Sequence, residues 1–206
     1  MVDGERNWAR NISYSAPVRH PDSVEQLQEA VAGATRVHAI GTRHSFSTCA
    51  DTDGLLVALD RVAPDLQVDA EAGTATVGSA IRLGDLGRLL EEQGRAIANL
   101  PSLPHISLGG AVATATHGSG DGLGMLATLV RGLEVVGPGG EVHRFEGGDL
   151  AAAVMAYGAL GVVTRITVAT VPALLTRQKK DPWEGFAAAA QPLPAAKATP
   201  KSRKNG

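Results

Sequence analysis

The feature that most constrains this chain is a tetrapeptide, Gly137-Pro138-Gly139-Gly140, set between Leu133–Val136 and Glu141–Phe145. Two strand-forming runs joined by so short a glycine–proline turn must fold back as an antiparallel hairpin. The same pattern occurs earlier. From Leu66 to Ser79 apolar and polar residues alternate around Glu71-Ala72-Gly73-Thr74, a second hairpin with glycine in the turn. Gly161 to Val171 is β-branched and reads as a further strand. Between these lie helical segments. Asp22 with Glu25 fits a capping box ahead of Val24, Leu27, Ala30 and Val31. Leu83 to Gln93 reads as a helix stopped by Gly94. Asp149 is expected to cap a short helix through Tyr157. Val37–Thr42 and Leu55–Leu59 read as buried strands. Hairpins mixed with helices, without regular βαβ alternation, predict an α+β fold and not a doubly wound parallel sheet.

Composition sets outer limits. The 206 residues carry 44% hydrophobic side chains, enough for a buried core, but only 3% aromatics and as many as 25 glycines, which implies close backbone approaches in place of aromatic packing. A formal net charge of −2 argues against a domain-wide nucleic-acid surface. Backbone N–H groups can still bind a phosphorylated cofactor without net charge. One cysteine, Cys49, allows no internal disulfide. The start of the chain lacks a signal-peptide core, and no run of about 18 apolar residues occurs. A cytoplasmic protein with no membrane partner is the expectation. From Arg177 onward there are seven basic and two acidic side chains among Ala- and Pro-rich sequence. Residues 173–206 are therefore expected to be a disordered basic tail behind a domain at 1–172. A nucleic-acid-binding tail is the alternative, and no basic amphipathic helix supports it.

Two segments could carry chemistry. In Ala39-Ile40-Gly41-Thr42-Arg43-His44-Ser45-Phe46 the chain leaves a buried strand. Gly41 permits a turn and a close ligand. Thr42 and Ser45 add hydroxyls, Arg43 a cation, and consecutive N–H groups an anion-binding concavity. His44 inside it could serve as base, metal ligand or nucleophile, or be a solvent-facing loop histidine. In Leu100 to Gly120, two prolines fix an extended entry and Ser107 is placed to cap a short helix from Leu108. Gly109, Gly110, Ala111, Ala113 and Ala115 leave room for a flat or extended ligand against the backbone. A tightly packed small-residue helix with no ligand is the plain alternative. It would leave Ser107, Thr114, Thr116, His117 and Ser119 with little to do.

Other motifs fail. Gly122 to Ala127 matches the loose dinucleotide fingerprint but follows no strand. There is no GxxxxGK loop and no GxSxG elbow. His44, His105 and His117 match no zinc spacing, so no metal is expected. Cys49 reads as a packing residue.

Taken in order, Gly41-Thr42-Arg43-His44-Ser45-Phe46, Leu103-Pro104-His105-Ile106-Ser107-Leu108-Gly109-Gly110, Ala113-Thr114-Ala115-Thr116-His117-Gly118-Ser119-Gly120 and Gly158-Ala159-Leu160-Gly161-Val162-Val163-Thr164 resemble the alditol oxidase and sugar-1,4-lactone oxidase group of vanillyl-alcohol-oxidase-type flavoproteins. The similarity covers residues 8 to 172. It implies a two-lobed α+β FAD-binding domain with the cofactor between the lobes. It implies that His44 carries the flavin covalently through its 8α-methyl group, with Gly41, Thr42, Arg43 and Ser45 around that anchor. It implies backbone N–H groups from Ser107, Leu108, Gly109 and Gly110 for the pyrophosphate. Thr114 and His117 would line the flavin or ribityl chain, Val162 and Val163 the adenine side, and Ser102 the polyol. The implied reaction oxidises a polyol or aldonolactone and passes electrons to oxygen, giving peroxide. Members of the group continue beyond the counterpart of Pro172 into a substrate domain that nothing after Leu174 resembles. The resemblance therefore implies a truncated chain. A separate substrate-domain polypeptide and a non-catalytic FAD-binding remnant both stay open.

Overall fold

A computed structural model of the protein describes residues 5–120 and 122–173. Contacts within the chain separate 1–174 from 175–206, so the expected basic tail lies outside the described residues. Ala173, placed in that tail, is an exception: its N–H donates to the Gly94 carbonyl.

The domain has two main sheets of different character and a third of two short strands. A small parallel sheet, ordered β1-β3-β2, is formed by β1 (Val18–Arg19), β2 (Val37–Ala39) and β3 (Leu55–Val57). Helix α1 (Val24–Ala32) crosses between its first two strands. A larger antiparallel sheet contains β4 (Gln67–Asp69), β5 (Thr74–Gly78), β7 (Val130–Val136), β8 (Val142–Glu146) and β9 (Val162–Ala169), in the order β4-β5-β9-β7-β8. Both hairpins lie in it, β4–β5 and β7–β8, as the glycine turns predict. Strand β9 zips the two hairpins together. A short antiparallel pair joins β6 (Arg95–Ala96) to β10 (Val171–Pro172).

Helix α2 (Leu83–Glu92) matches its predicted span. Gly94 ends it with φ +68, a left-handed conformation that glycine adopts without cost. Its buried face, Leu83, Leu86 and Leu90, joins Val77, Leu133, Ile166 and Val168 in the main core. Each such burial contributes about 1.5–3 kcal/mol. A second cluster, Leu27 and Val31 of α1 with Val57, Val136 and Val162, ties α1 to both sheets. Gln28 Nε2 also donates to the Gly140 carbonyl at 2.7 Å, seating α1 on the hairpin turn. Two short helices complete the domain, α3 (Leu108–Ala113) and α4 (Gly147–Ala153).

Three expectations need correcting. The cap of α1 is Ser23, whose hydroxyl accepts the Gln26 N–H at 3.3 Å, while Gln26 Oε1 accepts the Asp22 N–H. The box lies one residue later than Asp22/Glu25, because the hydroxyl and amide side chains close the turn. Helix α4 begins at Gly147 after Glu146 and ends at Ala153. Asp149 sits inside its first turn, and the chain turns left-handed at Tyr157 and Gly158, beyond any helix. Strand β2 stops at Ala39. The Ile40 N–H still donates to Val57, but the chain then leaves the sheet.

Candidate functional site

A cleft of about 590 Å³ lies between the two larger sheets. Its walls come from the loop 38–47, Ser79 and Ala80 after β5, the small-residue face of α3, and Tyr157, Gly158, Gly161 and Val163 around the start of β9.

The loop after β2 has an unusual property. The N–H groups of residues 41–46 have no acceptor among the described residues. A row of unpaired donors facing a cleft is unfavourable unless solvent or an anionic ligand takes the bonds. Arg43 holds the bend with φ +60, and its buried Nε is likewise unpartnered. The loop is held open from outside. Arg43 pairs with Glu5, its carbonyl accepts the Trp8 N–H at 2.9 Å, and the Ser45 carbonyl accepts from Asn7 Nδ2 at 2.8 Å. Asn7 is only 2% exposed and also holds Asn11 Oδ1 and the Ile12 N–H. Gly41 is required by a close approach: a Cβ there would collide with Ser107 Oγ, so the loop and the start of α3 share one wall.

His44 lies on this wall, stacked on the Trp8 ring with centroids 4.8 Å apart. Its Nε2 meets His105 Nε2 at 2.6 Å. Partial burial, and then the neighbouring His105 ring, push the His44 imidazole below the ordinary histidine value. Both effects favour the neutral ring at neutral pH. Hydrogen bonds with Ser45 and Ser47 lower the exposed Cys49 thiol. Burial lowers His38, which lines the far side of the cleft.

The structure gathers Gly41, Thr42, Arg43, His44, Ser45, Ser107, Gly109, Gly110, Thr114 and Val163 around the cleft. Leu108, His117, Val162 and Ser102 are not part of its lining. Leu108 and Val162 are each 1% exposed and belong to the core. His117 Nδ1 contacts the Gly118 carbonyl at 2.8 Å, and Ser102 is exposed. The row of donors expected from 107–110 is largely engaged. Ser107 N–H meets Thr42 Oγ1, Leu108 N–H donates to Ile81, and Gly109 N–H to Ser79. Of the four, Gly110 alone has an unpaired N–H among the described residues. Ser107 precedes α3, but its hydroxyl caps nothing there. Asn7, Trp8 and Ser79 were invisible to sequence reasoning. Their segments carry no motif, and only the tertiary contact gives them a role. His105 was visible as a member of the Leu103–Gly110 segment and as one of three histidines that match no zinc spacing, without a role of its own. Among the described residues no three His, Cys, Asp or Glu side chains cluster to hold a metal ion.

Residues 15–146 match the FAD binding domain family. The chain belongs to that family. It is 42% identical over 179 residues to an alditol oxidase from a Streptomyces species, covering 84% of this chain and 43% of that protein. It is 35% identical to an L-gulono-1,4-lactone dehydrogenase of Mycobacterium tuberculosis, covering 85% and 42%. It is 33% identical to L-gulonolactone oxidase of Bos taurus, covering 81% and 40%. The chain thus spans about two fifths of these relatives. Cholesterol oxidase from Brevibacterium sterolicum superposes with a TM-score of 0.68 at 19% identity, over 82% of this chain and 37% of that one. The fold is the two-lobed α+β FAD-binding domain of vanillyl-alcohol-oxidase-type flavoproteins.

The site fits the cofactor this family binds. A dinucleotide needs a long groove with small walls and a run of donors for its diphosphate. The N–H row at 41–46, together with that of Gly110, could supply those donors. The bare backbone of Gly109 and Gly110 supplies the room.

Proposed function

We propose that this chain is the FAD-binding part of an oxidoreductase acting on polyols or sugar-1,4-lactones, with FAD held in the cleft and bonded covalently to His44. The observation carrying this reading is the row of unpaired N–H groups at 41–46 with a neutral, ring-stacked imidazole in its midst. When bound, the isoalloxazine supplies the redox chemistry, taking a hydride from a C–H bond beside a hydroxyl and passing two electrons to an acceptor such as oxygen. The relatives bear both oxidase and dehydrogenase names, so the acceptor is the less constrained half.

The chain's own residues do the following. The N–H groups of 41–46 and of Gly110 take the negative charge of the diphosphate, with Thr42 and Ser45 hydroxyls beside them. Thr114 and Val163 border the same cleft. Its lining also includes apolar side chains such as Ile40, Leu59 and Ile106, which exclude water from a ring system. Trp8 fixes the plane of the His44 imidazole, so the nucleophile is held in place before the bond forms. Ser102, exposed outside the cleft, is the proposed polyol contact. The buried Leu108 and Val162 would support the wall from behind. A cytoplasmic setting accords with the lone cysteine.

A second reading is that these residues, which span about two fifths of those relatives, bind FAD and do not by themselves turn over a polyol or lactone. The test is spectral. The chain purified with FAD should absorb near 450 nm, and the colour should stay with acid-precipitated protein. His44→Ala should release it to the supernatant while retaining non-covalent binding. Colour that remains in the His44→Ala precipitate would refute the anchor. Peroxide release with xylitol or an aldonolactone would separate the two readings.

A further inference from the structure

The His44–His105 contact is not explained by cofactor binding alone, because His105 does not line the cleft. It reaches the cleft only through the 2.6 Å contact between the two Nε2 atoms. The rings are tilted by 51° with centroids 4.5 Å apart, so this is an edge contact and not a stack. Two nitrogen lone pairs at that separation repel, and so do two N–H groups. One proton must lie between them.

There are two ways to place it. If His105 donates, His44 carries its own hydrogen on Nδ1 and has no free lone pair outside the pair. If His44 donates, its Nδ1 lone pair is free. Among the described residues nothing else bonds His44 Nδ1. Only the second tautomer makes His44 a nucleophile. In that tautomer the acceptor, His105 Nε2, is already aligned with the proton that His44 must lose. Other ionisable groups around the loop are Arg43, next in sequence, its ion-pair partner Glu5 on the amino-terminal segment, and Cys49, bonded to Ser45. None of these is bonded to the His44 ring.

We propose that His105 is a positioning residue that fixes the His44 tautomer and accepts its Nε2 proton as His44 bonds to the flavin. The proposal rests on the reading of His44 as anchor. The balance is as follows. His44 Nδ1 forms a bond to the flavin 8α-carbon, and one proton leaves that methyl group. The His44 Nε2 proton passes to His105. The electron pair enters the isoalloxazine, and dioxygen removes it. The two protons and two electrons leave as hydrogen peroxide.

Gln is the informative replacement at 105. Its amide oxygen can still accept the His44 N–H bond, but it cannot carry the proton away. General-base assistance is typically worth 10²–10⁴-fold. His105→Gln chain incubated with FAD in air should therefore form acid-stable flavin at least about 10²-fold more slowly than the unaltered chain. Non-covalent FAD binding, followed by fluorescence quenching, should be unchanged. A His105→Gln chain attaching FAD at the unaltered rate would overturn the inference and leave the anchor standing. Acid-stable flavin in His44→Ala would instead overturn the anchor.

A second measurement needs no cofactor. In ¹⁵N histidine spectra of the FAD-free chain, His44 should be the Nε2–H tautomer. In His105→Ala its titration should move to higher pH, since the neighbouring ring no longer opposes its charge. An unmoved His44 titration, or a Nδ1–H tautomer in the unaltered chain, would end the proposal.

Discussion

Replacing Asn7 by alanine tests the claim that the 41–46 loop is held open from the amino-terminal segment. Asn7 is buried and makes three side-chain hydrogen bonds, to Asn11 Oδ1 at 2.7 Å, the Ser45 carbonyl at 2.8 Å and the Ile12 N–H at 3.1 Å. Each is worth about 1 kcal/mol net, and a buried partner left unpaired costs more. The loss should total about 3 kcal/mol. With a urea m-value of about 2 kcal/mol/M, the midpoint should fall by about 1.5 M with m unchanged. The effect should also reach the cofactor. Ser45 would lose the bond that seats its carbonyl, and FAD binding would have to reorder the loop. If that ordering costs about 1 kcal/mol, the FAD dissociation constant rises about fivefold. Urea unfolding followed by circular dichroism and FAD titration by fluorescence measure both. Asn11→Ala is the control. It removes one of the three bonds and leaves the other two, so it should shift stability by about 1 kcal/mol. A midpoint shift in Asn7→Ala no larger than in Asn11→Ala would refute the clamp. So would full destabilisation with unchanged FAD affinity, because the loop would then be ordered independently of Asn7.

Two further outcomes follow from other parts of the structure. Gly161 has φ +128, and a Cβ there would strike the Val136 carbonyl of β7. Gly161→Ala should cost about 3 kcal/mol or more from strain and collision, lowering the melting temperature by about 6–12 °C. Gly148→Ala, which meets nothing within 4 Å, should change it by no more than a degree or two, and equal shifts would sink the account. Asp51 feels partial desolvation, but the Ser15 N–H and hydroxyl and the Thr52 N–H outweigh it and hold its carboxyl below the usual range. A depressed folded-state value stabilises above the unfolded-state pKa, and the gain is lost as pH falls through the folded value. The stability gap between the unaltered chain and Asp51→Asn should therefore be widest near neutrality and close toward about pH 3; a gap constant with pH would contradict it.

What was legible in the amino acids was local. The hairpins β4–β5 and β7–β8 follow from glycines whose turns involve only neighbouring residues. The span of α2 follows from Leu83, Leu86 and Leu90 at helical spacing with Gly94 behind them. The segments 41–46 and 107–120 stood out because small and polar residues were massed where a ligand would need them. Cap positions were less legible. Ser23 and Asp22 compete for one turn, and a shift of one residue changes little in local energy.

The tertiary structure decided the rest. Nothing in Trp8 or Asn7 announces a partner at 44 or 45, and the ring contact between His44 and His105 spans 61 residues. The donors of Leu108 and Gly109 looked free, yet Ile81 and Ser79 claim them once β5 lies beside α3. Local rules settle which segments turn, because turn and helix energies depend on residues a few positions apart. Which N–H groups remain for a ligand depends on what every other strand brings near them, and that is known only when the chain has closed on itself.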